Sequence, residues 1–528
     1  MKRMDSFLHK LIRIIYVMIL VVFCLFSCIH LPHYYMMFQH SVPHIFVGVV
    51  LIGGALFLWH SFFKRWMGQT DRFFFLYTVV CIWIVANALL VLKVATPIGW
   101  DSFELTQGAQ FDFDNARYFA TYPNNVFPTL LLTWWYKGLS FLPLSPYRCM
   151  LLLNLLLVYG SLFLTMGCAR KLGGSLFVAD VTFWFIVLIG CNPTLSVVYT
   201  DTMALPFPIG FLYCLLCLAE HHRRGEQYLV QEKEKRLLGY RRWLALCFYG
   251  TMAVLCIVMG VLIKPTVIII MIATVILIAF SDKWMKWKKE EWMVIGICCI
   301  LGLFGYIGIQ NVTEPIRVTA QENAPEIRAK SPLHYIGMGL CEHEGETGGY
   351  GSFTESEVEW TNAHILDENY NEEAIERIIS KVKAFGVGGL TEHLWHKLVW
   401  MGSDGTFAYG MEGGFHVEPQ SSQTSLRGKL QNAFYTETEL YQRWIGNILQ
   451  AAWILFLLWG IFHTVHERNV QNGSHSFWKS MMQLTVLGIV LFLLIFENRS
   501  RYLFLYLPIF ILANTAIGGW SSDEIAKE

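Results

Sequence analysis

Residues 99–132 read GWDSFELTQGAQFDFDNARYFATYPNNVFPTLLL and mark an abrupt change from apolar to polar sequence. They follow an apolar run, residues 73–92, that is long enough to span a bilayer. Four carboxylates then fall within one short segment, beside several tyrosines and asparagines: Asp101, Glu104, Asp112 and Asp114. Carboxylates beside a membrane are costly unless they are solvated or functional. The segment is therefore either a solvated loop or part of a site.

The composition is that of a membrane protein. Of 528 residues, 55% are hydrophobic and only 15% are charged, whereas a soluble protein carries about 25% charged residues. The formal net charge is zero, so nothing indicates a nucleic-acid partner. The 13 cysteines lie mostly in apolar runs and show neither a zinc-site spacing nor a disulfide framework.

Hydropathy predicts an all-α polytopic protein with about twelve transmembrane helices. The first apolar run is interpreted as a membrane helix because no small-residue cleavage site of a signal peptide follows it. The predicted spans are residues 11–29, 44–63, 73–94, 149–168, 176–194, 203–219, 243–263, 265–280, 292–310, 444–463, 479–496 and 501–518.

Basic residues predict the orientation. Lysines and arginines flank the first span, and every short loop on the same side is basic, above all residues 221–242. The short loops on the other side, residues 31–43 and 191–202, carry neither lysine nor arginine. Positive charge marks the cytoplasmic side, so both termini are expected in the cytoplasm of a cell-membrane protein. Lys264-Pro265 leaves almost no loop, and a single broken helix there would invert the rest.

Two long segments, residues 95–148 and 312–443, are then extracytoplasmic. The predicted organisation has two additional N-terminal helices (1–72), a membrane core (73–311) with its first outer loop at 95–148, a cap (312–443) and C-terminal helices (444–528). In the cap, residues 354–366 and 370–385 are expected to be helical, separated by glycine-rich patches such as 386–389.

The remaining polar features fall on this same outer face. They are Tyr199-Thr200-Asp201, Lys264-Pro265, residues 334–340 and residues 497–502. Each has an ordinary alternative: Asp201 as a helix cap, Lys264 extending to the headgroups, and Arg499 and Arg501 as membrane anchors. Together, carboxylates and fixed cations on one surface suit an anionic, membrane-embedded substrate such as a lipid-linked phosphate, which arginine binds in a bidentate fork.

These motifs resemble a known family in their order, spacing and common side. Gly99-Trp100-Asp101, Tyr122-Pro123-Asn124-Asn125, Tyr199-Thr200-Asp201, Lys264-Pro265, residues 337–340, and residues 497–502 with Pro508 look like a bacterial GT-C glycosyltransferase. The branch is the one similar to dolichyl-phosphate-mannose protein mannosyltransferases, in its Gram-positive form. The two spans before residue 73, and a large outer segment between spans nine and ten, depart from the family and leave the acceptor class open.

The resemblance implies an inverting enzyme with a GT-C-type bundle and an extracytoplasmic active site. Its donor is a polyprenyl-phosphate sugar, and its acceptor is a cell-wall polymer, a lipid-linked glycan or a protein. By position, Asp101 matches the catalytic base and Asp201 the second acidic residue, while Arg499 or Arg501, with Lys264, contacts the donor phosphate. Further substrate contacts are expected from Glu104, Tyr122, Asn124, Asn125, Tyr199, Glu497 and Tyr502.

Asp112-Phe113-Asp114 is a DxD pair, which binds a divalent metal in many sugar transferases. A polyprenyl monophosphate donor requires no metal, so no cofactor is assigned and the metal stays open. The alternative function is a transporter or flippase of lipid-linked glycans. Such proteins place their polar site near the bilayer midplane at broken helices, and Lys264-Pro265 is the one feature that favours this alternative.

The orientation can be tested by thiol labelling in intact cells. A cysteine introduced in the 221–242 loop should resist an impermeant thiol reagent because the loop faces the cytoplasm, whereas one near residue 360 should react. The parent chain, with its own cysteines, supplies the background. Reaction at the loop and protection near 360 would overturn the predicted sidedness.

Overall fold

The computed structural model describes residues 2–29, 38–65, 72–227, 235–280, 289–342, 349–409, 419–466 and 473–515. Within these ranges the chain forms α-helices and no β-strand, which confirms the predicted all-α class. The first eleven helices are Lys2–Ser27 (α1), Val42–Arg65 (α2), Arg72–Val94 (α3), Trp100–Gln110 (α4), Ala116–Thr121 (α5), Val126–Gly138 (α6), Pro146–Leu172 (α7), Ser175–Phe185 (α8), Thr200–Met203 (α9), Pro206–Gln227 (α10) and Lys235–Ile263 (α11). The others are Ile268–Phe280 (α12), Lys289–Asn323 (α13), Pro332–Gly339 (α14), Glu355–His364 (α15), Tyr370–Ser403 (α16), Leu426–Gln431 (α17), Gly446–His466 (α18), Gly473–Ile495 (α19), Arg501–Phe504 (α20) and Leu507–Asn514 (α21).

Nine helices in the described part of the chain are long and apolar enough to cross a membrane. The predicted spans at 176–194 and 265–280 are shorter apolar helices, Ser175–Gly190 and Pro265–Phe280. The last predicted span, 501–518, is divided into the short helices α20 and α21, and its final residues lie outside the described ranges. The expected count of about twelve full-length spans is therefore not confirmed.

The chain reverses direction at Lys264-Pro265. In α11, Thr251 hydrogen-bonds with Cys298 of α13, and one turn further on Val254 lies against Gly302. Residue numbers thus rise together along α11 and α13, so the two helices run parallel. The helix between them, α12, must be the return crossing. The alternative of one broken helix at this point is therefore wrong.

The long helix α13 carries the chain beyond the membrane. Its 35 residues span about 52 Å at 1.5 Å per residue, well above the roughly 30 Å of a bilayer's hydrocarbon core. Its last turns bury Ala320 and Ala324 against Phe119 and Val126 of the first long polar segment. The two long segments therefore pack against each other at one end of the bundle.

The predicted cap helices are present with altered bounds. The first is α15, with Thr354 at its N-cap position. The second ends at the glycine patch as predicted: at Gly386 φ is 61° and ψ is −174°, which is not helical, so α16 consists of two helices that meet at this kink, the second of which continues to Ser403. Glycine tolerates this backbone conformation.

The bundle is most deeply buried around its final elements. All of α21 is buried, and it packs among α7, α8, α18 and α19. Nearby, Trp184 and Trp453 are fully enclosed. By contrast, α2, α3 and α13 are mostly exposed apolar surface, as expected for helices that face lipid.

One buried lysine joins three parts of the fold. Lys397 of α16 has no exposed surface. Its Nζ donates to the carbonyl oxygens of Gly339 (2.8 Å), Leu494 (2.9 Å) and Phe496 (2.8 Å). These carbonyls lie at the C-terminal ends of α14 and α19. The C-terminal end of a helix carries carbonyl groups without an intrahelical donor and a partial negative charge. Burial lowers the pKa of Lys397 to about 7, whereas the three acceptors favour its charged form.

The chain packs so closely at this junction that two positions have no room for a side chain and are occupied by glycine. A Cβ at Gly339 would lie 2.6 Å from the carbonyl oxygen of Ile495. At Gly351, φ is +68° and a Cβ would meet the Lys397 side chain at 2.6 Å. The Gly351 carbonyl oxygen in turn accepts from the Asn498 backbone N–H at 2.8 Å. The loop after α19 is thus fixed to the cap.

Lys397→Met should destabilise the protein strongly because it removes the shared donor of three buried carbonyls, and a buried acceptor left without a donor costs about 1–3 kcal/mol. The Gly339 oxygen keeps His393 Nε2 at 3.0 Å, so the loss falls mainly on the carbonyls of Leu494 and Phe496. The measurement is thermal unfolding of the purified full-length protein in detergent. Lys383→Met, at an exposed position of the same helix, is the matched control and should change little. Equal melting temperatures for the two variants would contradict the role given to Lys397.

Candidate functional site

Asp101 lies in the first turn of α4, shortly after the apolar helix α3 ends. Its Oδ1 accepts a hydrogen bond from the Tyr118 hydroxyl and its Oδ2 one from the Tyr199 hydroxyl, both at 2.8 Å. The amide of Asn125 donates to the Tyr118 oxygen at 2.6 Å. Each carboxylate oxygen has a second lone pair, so Asp101 is oriented and can still accept a proton.

The backbone before Asp101 is strained. Trp100 has φ of 59°, a left-handed conformation that costs a residue with a side chain about 1–2 kcal/mol. Its ring is half exposed and meets Phe353 of the cap edge-on, with centroids 6.1 Å apart. Strain of this kind concentrates at functional sites. Here it turns the chain sharply into α4 and sets the start of the helix that carries Asp101.

Asp201 forms the second part of the site. Its carboxylate is 1% exposed and lies 3.0 Å from Lys264 Nζ through Oδ1 and 3.4 Å from Arg501 Nε through Oδ2. The N-cap position of α9 belongs to Tyr199, so the alternative that Asp201 caps this helix is wrong. Lys264 and Arg501 are mostly buried and are neither extended to the headgroups nor simple surface anchors. Two cations and one carboxylate leave this group, hereafter the cation cluster, with an excess positive charge.

Tyr199 connects the two parts. Its hydroxyl donates to Asp101, while the guanidinium of Arg501 lies over its ring, 4.1 Å from the centroid. Tyr502 supports the same cations, with Lys264 Nζ 4.7 Å and the Arg501 guanidinium 5.5 Å from its ring centroid. Cations over aromatic faces are held electrostatically. The structure thus brings Asp101, Asp201, Tyr199, Lys264 and Arg501 into one connected group.

Arg499 and Glu497 form a neighbouring ion pair, with Nε 3.4 Å from Oε1 and both side chains largely buried. The loop that carries them is held on two sides. Asn498 donates its amide to the Lys397 carbonyl oxygen at 2.9 Å, and Ser500 donates its hydroxyl to Asp404 at 3.1 Å. The buried junction around Lys397 therefore positions these arginines.

Of the other substrate contacts expected from the sequence, some lie close to Asp101 and others do not. Burial, with the charges of Asp101 and Glu497, raises the pKa of Tyr122 to about 12, so its hydroxyl stays protonated beside them. Burial also raises the pKa of Glu104; a hydrogen bond from Asn115 opposes the rise, and the charges of Asp114 and Asp101 add to it. These tyrosine and glutamate side chains lie near Asp101. Asn124 is exposed and donates to the side chain of Asn125.

The DxD pair lies on the exposed side of this segment, where the charge of Asp114 is close enough to raise the pKa of Glu104. Asp112 and Asp114 are exposed, and Asp112 forms an ion pair with Lys137 at 3.0 Å. Throughout the described ranges, no three His, Cys, Asp or Glu side chains converge as metal ligands. The residues around Asp101 therefore offer a carboxylate, hydroxyls and cations, but no ready set of metal ligands.

Sequence reasoning missed two tyrosines. Tyr118 binds Asp101 directly and stands four residues before Tyr122, a helical spacing that places both on one face. Tyr335 lies near Tyr122, Glu497 and Asp101, whose charges add to the burial that raises its pKa. It belongs to the 334–340 stretch, whose sequence predicts no role for this residue. A tyrosine at helical spacing was the available signal for Tyr118, whereas Tyr335 is placed only by tertiary packing.

The arrangement combines a carboxylate that can accept a proton with a cation cluster that can bind an anion, at one end of a bundle of apolar helices. The chain matches no curated protein and no solved structure. A family model described as a conserved hypothetical integral membrane protein matches residues 4–519. The protein therefore belongs to this family of integral membrane proteins.

Proposed function

We propose that the protein is a glycosyltransferase that moves a sugar from a polyprenyl-phosphate carrier to an acceptor outside the membrane. The observation that carries the proposal is the link through Tyr199, which joins the Asp101 carboxylate to the Lys264–Asp201–Arg501 cluster. A sugar phosphate transfer needs these two functions side by side: a base for the acceptor and fixed positive charge for the departing phosphate.

In the proposed mechanism, Asp101 takes the proton of the acceptor hydroxyl as its oxygen attacks the anomeric carbon of the donor. The bond between that carbon and the phosphate oxygen breaks, and its electron pair leaves with the lipid phosphate. Arg501 and Lys264, with Arg499 beside them, stabilise the charge that develops on this phosphate. Asp201 holds both cations in place. Attack opposite the leaving group inverts the anomeric centre.

The depth of the site suits a lipid-linked donor. Asp101 follows α3, and Lys264 follows α11, each of which is of spanning length. Both groups thus lie near a membrane boundary, where the phosphate of a polyprenyl carrier must also lie. The same observation favours the enzyme over a transporter, because Lys264-Pro265 ends a complete crossing and does not interrupt one at the midplane. We further propose that this face is extracytoplasmic and that both termini are cytoplasmic.

The proposal is tested by glycan analysis of a deletion strain. Mass spectrometry of wall polymers and secreted proteins should show the loss of one sugar modification, restored by the wild-type gene. The Asp101→Asn gene should fail to restore it although the protein is present in the membrane. An unchanged glycan profile in the deletion strain would remove the proposed function.

Asp101→Asn should reduce kcat by about 10²–10⁴-fold, the usual contribution of a general base, with donor affinity kept within a few-fold. Asp112→Asn and Asp114→Asn are the matched controls, because they remove carboxylates from the same segment at exposed positions. They should cost far less, and activity should survive EDTA. If the two control variants are inactive and the wild-type enzyme needs an added divalent ion, the DxD pair is a metal site and the base is misassigned.

Arg501→Ala should raise the donor KM by roughly ten- to hundredfold, since one charge-assisted hydrogen bond is worth about 1.5–3 kcal/mol. Arg501→Lys should recover only part of this loss because the fork geometry is absent. Arg499→Ala should have a smaller effect, because the Glu497 carboxylate already pairs with Arg499. Normal donor kinetics in the double alanine variant would leave Lys264 as the phosphate contact.

A further inference from the structure

A groove of about 550 Å³ runs between α15 and the part of α16 that precedes its kink. This volume lies within the roughly 300–1,000 Å³ of small-ligand sites. Glu376 and Ser380 line it and are exposed, so the groove is open to solvent on one side. Its walls also include Trp360, His364, Glu373, Arg377 and Lys381. We call it the cap groove.

A buried carboxylate holds the two cations of the cap groove from behind. Glu357 is 2% exposed, and its Oε2 accepts from Lys381 Nζ at 2.6 Å and from Arg377 Nη2 at 3.0 Å. Arg377 also approaches this oxygen through Nε, at 3.3 Å. Of the five N–H donors of an arginine, those on Nη1 have no acceptor in the described part of the cap. The Arg377 side chain is 32% exposed, so these donors are available to a ligand.

Planar side chains form one wall of the cap groove. The imidazole ring of His364 is stacked on the indole ring of Trp360, with 4.7 Å between centroids and 18° between planes. The Arg377 guanidinium lies over the same indole ring, 4.7 Å from its centroid, where it is attracted electrostatically. The three flat groups hold one another, so the wall is formed before a ligand binds.

The charges of the cap groove are mixed. Its cations are Arg377 and Lys381, and its carboxylates are Glu373, Glu376 and the buried Glu357. Two positive and three negative formal charges give a net charge of −1, which disfavours a ligand with several phosphates or carboxylates. A neutral ligand that both donates and accepts hydrogen bonds finds partners of both kinds here.

We propose that the cap groove binds a glycan chain. Sugar hydroxyls both donate and accept, and the apolar C–H face of a sugar ring packs on planar aromatic side chains. Glu376 and Ser380 accept from the hydroxyls, while Arg377 Nη1 donates to sugar oxygens. The open side lets a longer chain pass through. A peptide fits less well, because peptide grooves offer apolar pockets or a free strand edge, and most residues of this groove are polar.

The short helix α14 lies between the cap groove and the candidate site. The Gly337 carbonyl accepts from Lys381 Nζ at 3.0 Å, and a Cβ at Gly337 would collide with the Glu357 carboxylate. Two residues earlier, Tyr335 lies near Asp101, and positions two apart point to nearly opposite sides of a helix. A helix is about 10–12 Å across, so a chain of a few sugars can extend from the groove to Asp101. The bound chain is the acceptor, a role that, unlike the binding itself, rests on the proposed function.

The experiment measures binding of the purified full-length protein in detergent to an array of bacterial envelope oligosaccharides and wall peptides. No donor lipid is added, so binding is observed without catalysis. The wild-type protein should bind at least one oligosaccharide and no peptide. The same oligosaccharide in soluble form should raise the melting temperature with concentration. Binding of no oligosaccharide, or of peptides alone, would overturn the proposal.

Glu376→Ala should weaken oligosaccharide binding roughly ten- to hundredfold, the loss of one charge-assisted hydrogen bond. Ser380→Ala should weaken it several-fold. Glu372→Ala is the matched control, because it removes an exposed carboxylate of the same helix, one turn earlier and outside the groove, and it should bind as the wild type does. An unchanged affinity in the double variant of Glu376 and Ser380 would contradict the assignment of the groove.

Binding and glycan analysis separate this inference from the proposed function. Oligosaccharide binding that depends on Glu376, together with an unchanged glycan profile in the deletion strain, would retain the cap groove as a glycan site and remove the transferase. A lost sugar modification in that strain, without oligosaccharide binding by the protein, would retain the transferase and overturn the inference about the groove.

Discussion

The ammonium group of Lys397 is the contact on which the architecture of the polar end depends. It donates hydrogen bonds to three backbone carbonyls at the C-terminal ends of two different helices. These buried acceptors therefore have a partner without any contact with water. The loop after α19 is held against the cap by this contact. Arg499 and Arg501 belong to that loop, and their positions over the bundle follow from it. A buried lysine in a structural role thus determines where the charges of the candidate site lie.

The second constraint is the direction of the crossings. Since α11 and α13 run parallel, the short helix α12 must return the chain between them. The reversal therefore occurs at Lys264, which lies at the end of α11 and at the same end of the bundle as Asp101 and Asp201. The polar side chains of four segments that are distant in the sequence then lie together at one end of the bundle, where they form ion pairs and hydrogen bonds with one another. At the other end, His60 of α2 forms an ion pair with the buried Asp180 of α8.

Much of the helical layout could be predicted because apolar runs of bilayer length are a strong signal. Alternation of sides also anticipated that Asp101, Asp201, Lys264 and Arg501 would share an end. Local patterns could not give the rest. The sequence does not show that α13 continues to Asn323, that a second helix follows Gly386 as far as Ser403, or that Arg499 pairs with Glu497 and Arg501 with Asp201. These depend on tertiary packing, as do the contacts of Tyr118 and Lys397.

The fully buried helix α21 has a consequence for biosynthesis. It packs among α7, α8, α18 and α19, yet it follows them all in the chain. During synthesis the earlier helices enter the membrane while the centre they surround is still empty. Their mutual packing can become final only after residue 514 has left the ribosome. Truncations just before α21 should therefore expose the half-assembled bundle to membrane quality-control proteases, even though every earlier crossing has been made.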